Sequence, residues 1–220
     1  MTHPLDGTPA EPSRDCPLCP RLVAFRETWR AREPGWHNAP VPSFLPPEGA
    51  QAARLLVVGL APGLRGANRT GRPFTGDYAG DLLYATLTKY GFANGRFDAR
   101  PDDGLELFGT AITNGVRCVP PENKPVGAEI NACRSFLTET IAGLPRLKAV
   151  VTLGKIAHDS TVRALGGRIA AHPFRHGGSS DLAALRIFSS YHCSRYNTNT
   201  GRLTTAMFEA VFADVAKFLA

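Results

Sequence analysis

The 220-residue chain has no apolar stretch approaching the roughly 20 residues that a membrane span requires, and its first thirty residues carry acids and prolines in place of a hydrophobic leader. The expectation is a soluble, unexported protein of the cytoplasm. Lysine is scarce. Only Lys89, Lys124, Lys148, Lys155 and Lys217 stand among 25 Lys and Arg, so nearly all positive charge is guanidinium, the group suited to bidentate phosphate contacts. Against 19 Asp and Glu the formal net charge is +6, which fits a polyanionic partner and fits an arginine-rich composition equally well. No G-x-G-x-x-G and no Walker lysine motif follows a strand-like run, which weakens any nucleotide-cofactor reading. What is present suffices for one continuous core: 43% hydrophobic and 9% aromatic residues argue against a disordered linker.

Cysteine is also sparse, and a reducing compartment keeps thiols unpaired, so the five cysteines are not read as a disulfide framework. Their spacing carries more. Cys16 and Cys19 form a C-x2-C, Cys118 and Cys133 a C-x14-C, and Cys193 stands alone. A C-x2-C lets two thiolates reach one centre from a single turn, while the distant pair has to be delivered by the fold. An iron-sulfur cluster, a structural zinc and unrelated buried thiols all remain open on spacing, although a zinc ribbon would show two close knuckles.

Residues 1–14 are polar and contain proline, and are expected to be a loose tail before a single domain over 15–220. Leu22, Phe25 and Trp29 recur at helical spacing within 21–32, and five prolines in 34–47 make an extended connector. Four strands are expected at 54–60, 109–116, 148–153 and 185–190. Helices are expected near 80–90, 128–143, 154–165 and 204–219, the last with Met207, Phe208, Val211, Phe212 and Val215 on one side. Alternating strands and helices predict a three-layer α/β/α sandwich around a mainly parallel four-stranded sheet, with ligands bound beyond the carboxyl ends of the strands. Three strands end in unusual polar sequences: Gly59-Leu60-Ala61-Pro62-Gly63, Thr113-Asn114-Gly115 and Tyr191-His192-Cys193-Ser194. These loops are expected to line one cleft.

GLAPG at 59–63, NRTGRPFTGD at 68–77, TNGVRCVPPENK at 113–124 and SYHCSRYNTNTGRLT at 190–204 resemble, in order, the motifs of the uracil-DNA glycosylase superfamily. The chain is most similar to family 5, the B-type enzymes of bacteria and archaea, from Cys16 to the C-terminal helix. The resemblance implies an α/β/α fold, a 4Fe-4S cluster on Cys16, Cys19, Cys118 and Cys133, and excision of uracil or another deaminated base from DNA. It further implies a monomer that works beside the chromosome. Related branches carry an Asp or Glu in the first motif; Leu60-Ala61-Pro62-Gly63 has none, as is usual in family 5.

A glycosylase extrudes its nucleotide, holds the base and stabilises positive charge on the sugar and negative charge on the leaving base. His192, past a strand end, is the expected donor to the base, and Asn114, with a donor and an acceptor, the expected reader of its edge. Phe74, a ring in a loop of glycine and arginine, is expected to stack on the base. Asp77, and failing it Asp81, is the candidate carboxylate because the first motif supplies none; the competing role for Asp77 is a helix cap. The small Ala61 and Gly63 leave room that hints at bases larger than uracil, such as hypoxanthine. Arg65, Arg69, Arg195, Tyr196 and Arg202 are expected to meet DNA, with Asn197 and Asn199 in the same groove-pressing loop. His172 and His176 have no carboxylate at ligand spacing, so a metal there is disfavoured, and Cys193 reads as a small buried residue. Among these motifs only Lys124 is a lysine, consistent with a monofunctional enzyme that leaves an abasic site. Two rivals stand: a non-catalytic iron-sulfur DNA-binding or redox module, and a zinc-stapled hydrolase of small nucleosides.

Overall fold

The computed structural model describes residues 10–220. In chain order the elements are helix α1 (Pro20–Arg32), strand β1 (Leu55–Gly59), the short α2 (Ala67–Thr70), α3 (Tyr78–Lys89), strands β2 (Ala93–Asn94), β3 (Glu106–Leu107) and β4 (Thr110–Asn114), α4 (Gly127–Ala142), β5 (Ala149–Leu153), α5 (Lys155–Ala164), β6 (Ser179–Leu182), β7 (Leu185–Ser190), the short α6 (Arg195–Asn199) and α7 (Thr205–Leu219). Every residue of β1, β4 and β5 is buried, the mark of parallel strands covered on both faces. Alternate residues supply the two faces. Leu55, Val57, Ile112, Val151 and Phe188 pack with Leu83 and Leu87 of α3 and with Phe208, Val211, Phe212 and Val215 of α7. Leu56, Val58, Ala111 and Val150 pack with Leu137 of α4 and Ala157 of α5.

The main sheet runs β4-β1-β5-β7-β6, with β6 alone antiparallel. The expected parallel quartet is therefore present, and a fifth strand corrects the count of four. Strand β6 was not legible because its residues alternate between exposed and half-buried positions and are mostly polar. Its hairpin turn is Ala183-Ala184, both at positive φ (50° and 63°), without the Gly or Asn that usually marks such a turn. The proline-rich connector guards the opposite edge: Phe44 pairs with Ile112 of β4 through backbone bonds of 2.8 and 2.9 Å.

The expected loose tail is corrected in part. Residues 1–9 lie outside the described residues, but Glu11 is held: it accepts from the Ser43 N–H at 2.9 Å and from the buried Arg117 at 2.5 Å. An arginine almost entirely removed from water needs a counter-charge, and the tail delivers it.

The chain passes from β1 to β4 on one side and then returns across β1 to β5. That reversal opens a crevice at the carboxyl ends of the strands, where the loops after β1, β4, β5 and β7 meet.

Candidate active site

The crevice is a cleft of about 760 Å³ whose walls include Leu60, Ala61 and Gly63 after β1, Asp77 and Tyr78 at the start of α3, the first turn of α5, and His192 and Arg195 after β7. A smaller pocket continues from it, sharing Ala61, Gly63, Asp77, Ala79 and His192 and adding Pro62, Phe74 and Asn114. Three widely separated stretches thus bring Phe74 and Asp77, Asn114, and His192 to one cavity. Gly59 does not line it. In register with Asn114 on the neighbouring strand, Gly59 leaves space instead: a Cβ there would lie 2.3 Å from Asn114 Oδ1 and 2.5 Å from Phe74 Cζ.

Phe74 is buried and holds positive φ (53°), a conformation that costs an ordinary residue about 1–3 kcal/mol and persists only where surroundings enforce it. The enforcement is visible on both sides of it. The Tyr84 hydroxyl donates to the Pro73 carbonyl at 2.6 Å, and Arg72 donates through Nε to Thr75 Oγ1 at 2.8 Å. Arg72 also makes two 2.8 Å bonds to Asp103, with the rings of Phe44, Tyr84 and Phe97 around its guanidinium. Burial alone would raise the Asp103 carboxyl, but Arg72 and the backbone N–H groups of Asp98 and Leu105 hold it well below the usual carboxylate range. Arg72 is a brace under the loop.

The His192 ring stacks near Phe74, with centroids 5.9 Å apart and planes 27° from parallel, and its buried Nδ1 has no protein partner. Burial pushes its pKa down to about 4, so the imidazole is neutral at physiological pH. A neutral ring keeps one N–H to donate without adding a charge. The backbone around it is tied down: its carbonyl accepts from Asn197 Nδ2 at 2.8 Å, and the fully buried Cys193 thiol donates to the Ala79 carbonyl at 3.4 Å.

Asp77 occupies both positions considered for it. It caps α3, accepting from the Ala79 N–H at 3.2 Å, and its carboxylate also lines the cleft and the inner pocket. Burial pushes its carboxyl above the ordinary value, with the N–H groups of Ala79 and Gly80 pulling against that rise and the charge of Asp81 adding to it. Asp81 itself is exposed and lines neither cavity.

Of the expected DNA-contacting residues, Arg195 lines the cleft with its guanidinium 5.2 Å from the Tyr78 ring centroid, and Tyr196 beside it is 72% exposed. Arg65 and Arg69 are exposed on the loop around α2, Arg69 next to Gly76 of the cleft wall. Arg202 lies outside the cleft. Sequence reasoning missed the first turn of α5, where Gly154, Lys155, Ile156 and Ala157 all line the cleft. The signal was there: this strand too ends in a glycine, followed by lysine.

Cys16, Cys19, Cys118 and Cys133 line one apolar pocket with Leu22, Val116 and Phe136, between α1, α4 and the loop after β4. The Arg117 N–H donates to Cys133 Sγ at 3.3 Å, and Arg26, buried with its Nε unpartnered, points Nη1 at Cys118 Sγ from 3.9 Å. Burial pushes the Cys118 thiol up to about 12 and the Cys133 thiol up to about 11, and raises Cys19 as well. Among the described residues no three His, Cys, Asp or Glu are grouped so as to hold a metal ion. Helix α1 is strapped to α4 independently, since Arg21 makes 2.7 and 2.8 Å bonds to the carboxylate of the buried Glu129.

A family model described as Uracil DNA glycosylase superfamily matches residues 46–216. The chain is 46% identical over 209 residues to a type-5 uracil-DNA glycosylase of Thermus thermophilus, covering 92% of this chain and 93% of that protein. It is 40% identical to one of Pyrobaculum aerophilum (92% and 88%) and 41% identical to one of Mycobacterium leprae (92% and 90%). A type-4 uracil-DNA glycosylase of Pyrobaculum aerophilum is more distant, 33% identical over 56% of this chain. With four ordered loops meeting in one pocket and relatives matching nearly end to end, the chain belongs to the uracil-DNA glycosylase superfamily, among its type-5 members.

Proposed function

We infer that the protein is a DNA repair glycosylase that hydrolyses the N-glycosidic bond of uracil in DNA and leaves an abasic site. The observation that carries the reading is the convergence of Phe74, Asp77, Asn114 and His192 on one pocket continuous with the cleft of about 760 Å³, the setting in which a glycosylase receives an extruded nucleotide. The Asn114 amide pairs with one edge of the base, and the Phe74 ring packs against its face. As the bond breaks, its electron pair leaves with the base, and the neutral His192 N–H donates to the oxygen on which that charge collects. Asp77 faces the sugar side, where a carboxylate stabilises the developing cation and orients the water whose oxygen joins C1′. A donor aimed at developing charge is worth about 3–4 kcal/mol.

No lysine lines the inner pocket, and Lys155 at the cleft wall is engaged with Asp159 at 2.5 Å, which supports simple hydrolysis over attack by an amine. The small Ala61 and Gly63 support extending the substrate range to larger deaminated bases such as hypoxanthine. Arg65, Arg69, Arg195 and Tyr196 are read as contacts to DNA around the opening, and the enzyme as a monomer.

The four thiols suit a 4Fe-4S cluster: they come from three segments and line one apolar pocket, with a backbone N–H and a buried guanidinium beside the sulfurs. Bound there, the cluster would staple α1 to the sandwich rather than take part in excision, since none of its residues lines the base pocket.

The deciding experiment is single-turnover excision on U:G, U:A, hypoxanthine and xanthine duplexes, read as alkali-labile strand breaks. Uracil release with an intact strand before alkali is expected. DNA binding without release would leave the non-catalytic rival standing.

A further inference from the structure

Beside the turn that carries His192 lies a second recess, of about 510 Å³, unused by the reaction above. Its polar wall is made of donors. Lys155, Arg175, His176 and Arg202 line it with the Phe174 and Tyr191 rings, and no carboxylate does. Lys155 has Asp159 as a partner; Arg175 and Arg202 enter no ion pair among the described residues. The rings are held in place. The Tyr191 N–H donates to His176 Nδ1 at 3.1 Å, the two rings stack with centroids 4.8 Å apart at 5°, and the Arg202 guanidinium stands 4.7 Å from the Tyr191 centroid. Because Nδ1 accepts, the His176 proton sits on Nε2 and adds another donor. A concave wall of guanidinium, ammonium and imidazole N–H suits an anion with several acceptor oxygens, and planar forks favour phosphate. Two links join the recess to the base site: Lys155 lines both cavities, and Tyr191 immediately precedes His192.

We propose that this recess is a subsite for a backbone phosphate of the DNA strand carrying the target base, beyond the excised nucleotide. The proposal rests on the glycosylase reading for its choice of DNA over a free anion. It gives His176 and Tyr191 a second consequence, since a phosphate seated on Arg175 and Arg202 braces the turn on which His192 is mounted. It also places Arg202 on the strand through this recess, apart from the cleft that Arg195 lines.

The test uses oligonucleotides with a 2′-fluorinated deoxyuridine, which resists excision, and with one phosphate at a time replaced by a neutral methylphosphonate. With the wild-type chain, neutralising one linkage flanking the target should weaken binding roughly tenfold, the scale of one lost charged hydrogen bond. In Arg175→Ala that same linkage should cost about twofold or less, because the partner is already gone, while Arg175→Lys should regain part of the sensitivity. Arg96→Ala, which removes an equal charge from a loop on which Arg96 is 84% exposed, should keep the full linkage effect. Additive losses at every linkage, or loss of the effect in Arg96→Ala, would overturn the subsite. Inorganic phosphate and thymidine monophosphate separate the sources: if either shifts the His176 ring resonances with an affinity equal to that of DNA, the recess binds free anions and the strand assignment fails. Binding to the fluorinated strand needs no excision, so a chain that shows the linkage effect but releases no uracil would sink the enzymatic reading and keep the recess.

Discussion

The Asp77 carboxylate is seated on the bare backbone of Gly66: a Cβ added there would stand 2.2 Å from its Oδ2, and one added to Gly63 would stand 2.5 Å from the same oxygen. Both glycines lie in the loop after β1, so the motif that contains no acid of its own is shaped to receive one from the start of α3. Gly66→Ala should therefore swing the carboxylate away from the pocket. Single-turnover excision is expected to fall at least tenfold, about 1.4 kcal/mol of barrier, while affinity for the uncleavable duplex stays close to wild type. A wild-type rate in Gly66→Ala would show that the position of the carboxylate does not matter.

Substituting Asp77 separates its two roles. Its carboxyl binds a proton more tightly folded than unfolded, because burial opposes the charge. The stability it contributes is complete at low pH and is lost as pH rises through the folded value. Asp77→Asn keeps the cap and removes the buried charge, so its thermal midpoint should match or exceed wild type at pH 7.5 and converge with it near pH 4. Asp77→Ala should lose about 1 kcal/mol with the cap. Both should lose excision rate. Retained rate in the Asn variant would leave Asp77 as a cap alone, and a midpoint below wild type at pH 7.5 would contradict the cost of the buried charge.

The parts of the molecule that sequence made legible are those where a buried apolar run stops abruptly at polar, glycine-rich residues. LLVVG before Leu60, TAITN before Gly115 and LRIFSS before Tyr191 mark strands and their functional ends together. Hidden features depend on distant partners. Nothing around Asp103 announces that it anchors Arg72, and nothing in Glu11 announces that it neutralises the buried Arg117. The positive φ of Phe74 was equally hidden, since no local residue preference points to it; it follows from bonds made by Tyr84 and Arg72. Lys155 carries no signal by residue type either, because a lysine opening a helix is ordinary until the sheet sets it at the cleft.

His192 is held neutral by its surroundings, and that sets its pH behaviour. A ring whose pKa is lowered to about 4 contributes stability that is present above the unfolded value of about 6.5 and is lost as pH falls from there toward 4. Its NMR titration is expected near pH 4, and excision should show no His192-linked limb between pH 6 and 9. His192→Ala should slow single-turnover excision by about 100-fold or more, as expected for a lost donor to developing charge, with DNA affinity nearly intact. A ring titrating near 6.5, with a rate that follows its protonation, would replace the neutral donor with an imidazolium.

The Arg72–Asp103 pair tests whether the Phe74 loop is held from below. Side-chain exposure is 7% for Arg72 and 0% for Asp103, so Asp103→Asn leaves a buried guanidinium uncompensated, a loss of about 3–5 kcal/mol. The Asp103 carboxyl is depressed, so its contribution is present above the unfolded carboxylate value and lost only as pH falls below it. The Asn variant should accordingly be destabilised by a constant amount from pH 5 to 8. It should also bind the uncleavable uracil strand more weakly, because the positive-φ turn at Phe74 loses its enforcement. Unchanged binding in a folded variant would mean that Phe74 keeps its place without the pair.

The cysteine pocket makes the last prediction. Its thiols come from a turn before α1, the loop after β4 and α4 itself, so a group bound to all four closes a chain loop of about 100 residues, the kind of long closure that constrains an unfolded chain most. Burial disfavours the thiolates of Cys19, Cys118 and Cys133, so a positively charged group bound among them would favour their ionised form. Protein purified without oxygen should be brown and carry about four irons per chain. Cys118→Ser should lose the colour and make residues 10–33 sensitive to protease, even though the Arg21–Glu129 bonds still join α1 to α4. Excision at saturating DNA should fall far less in that variant than in His192→Ala, because the base pocket shares no residue with the cysteine pocket. One zinc per chain without iron would sink the cluster assignment, and a loss of rate as large as that of His192→Ala in a folded, iron-free chain would overturn its purely structural role.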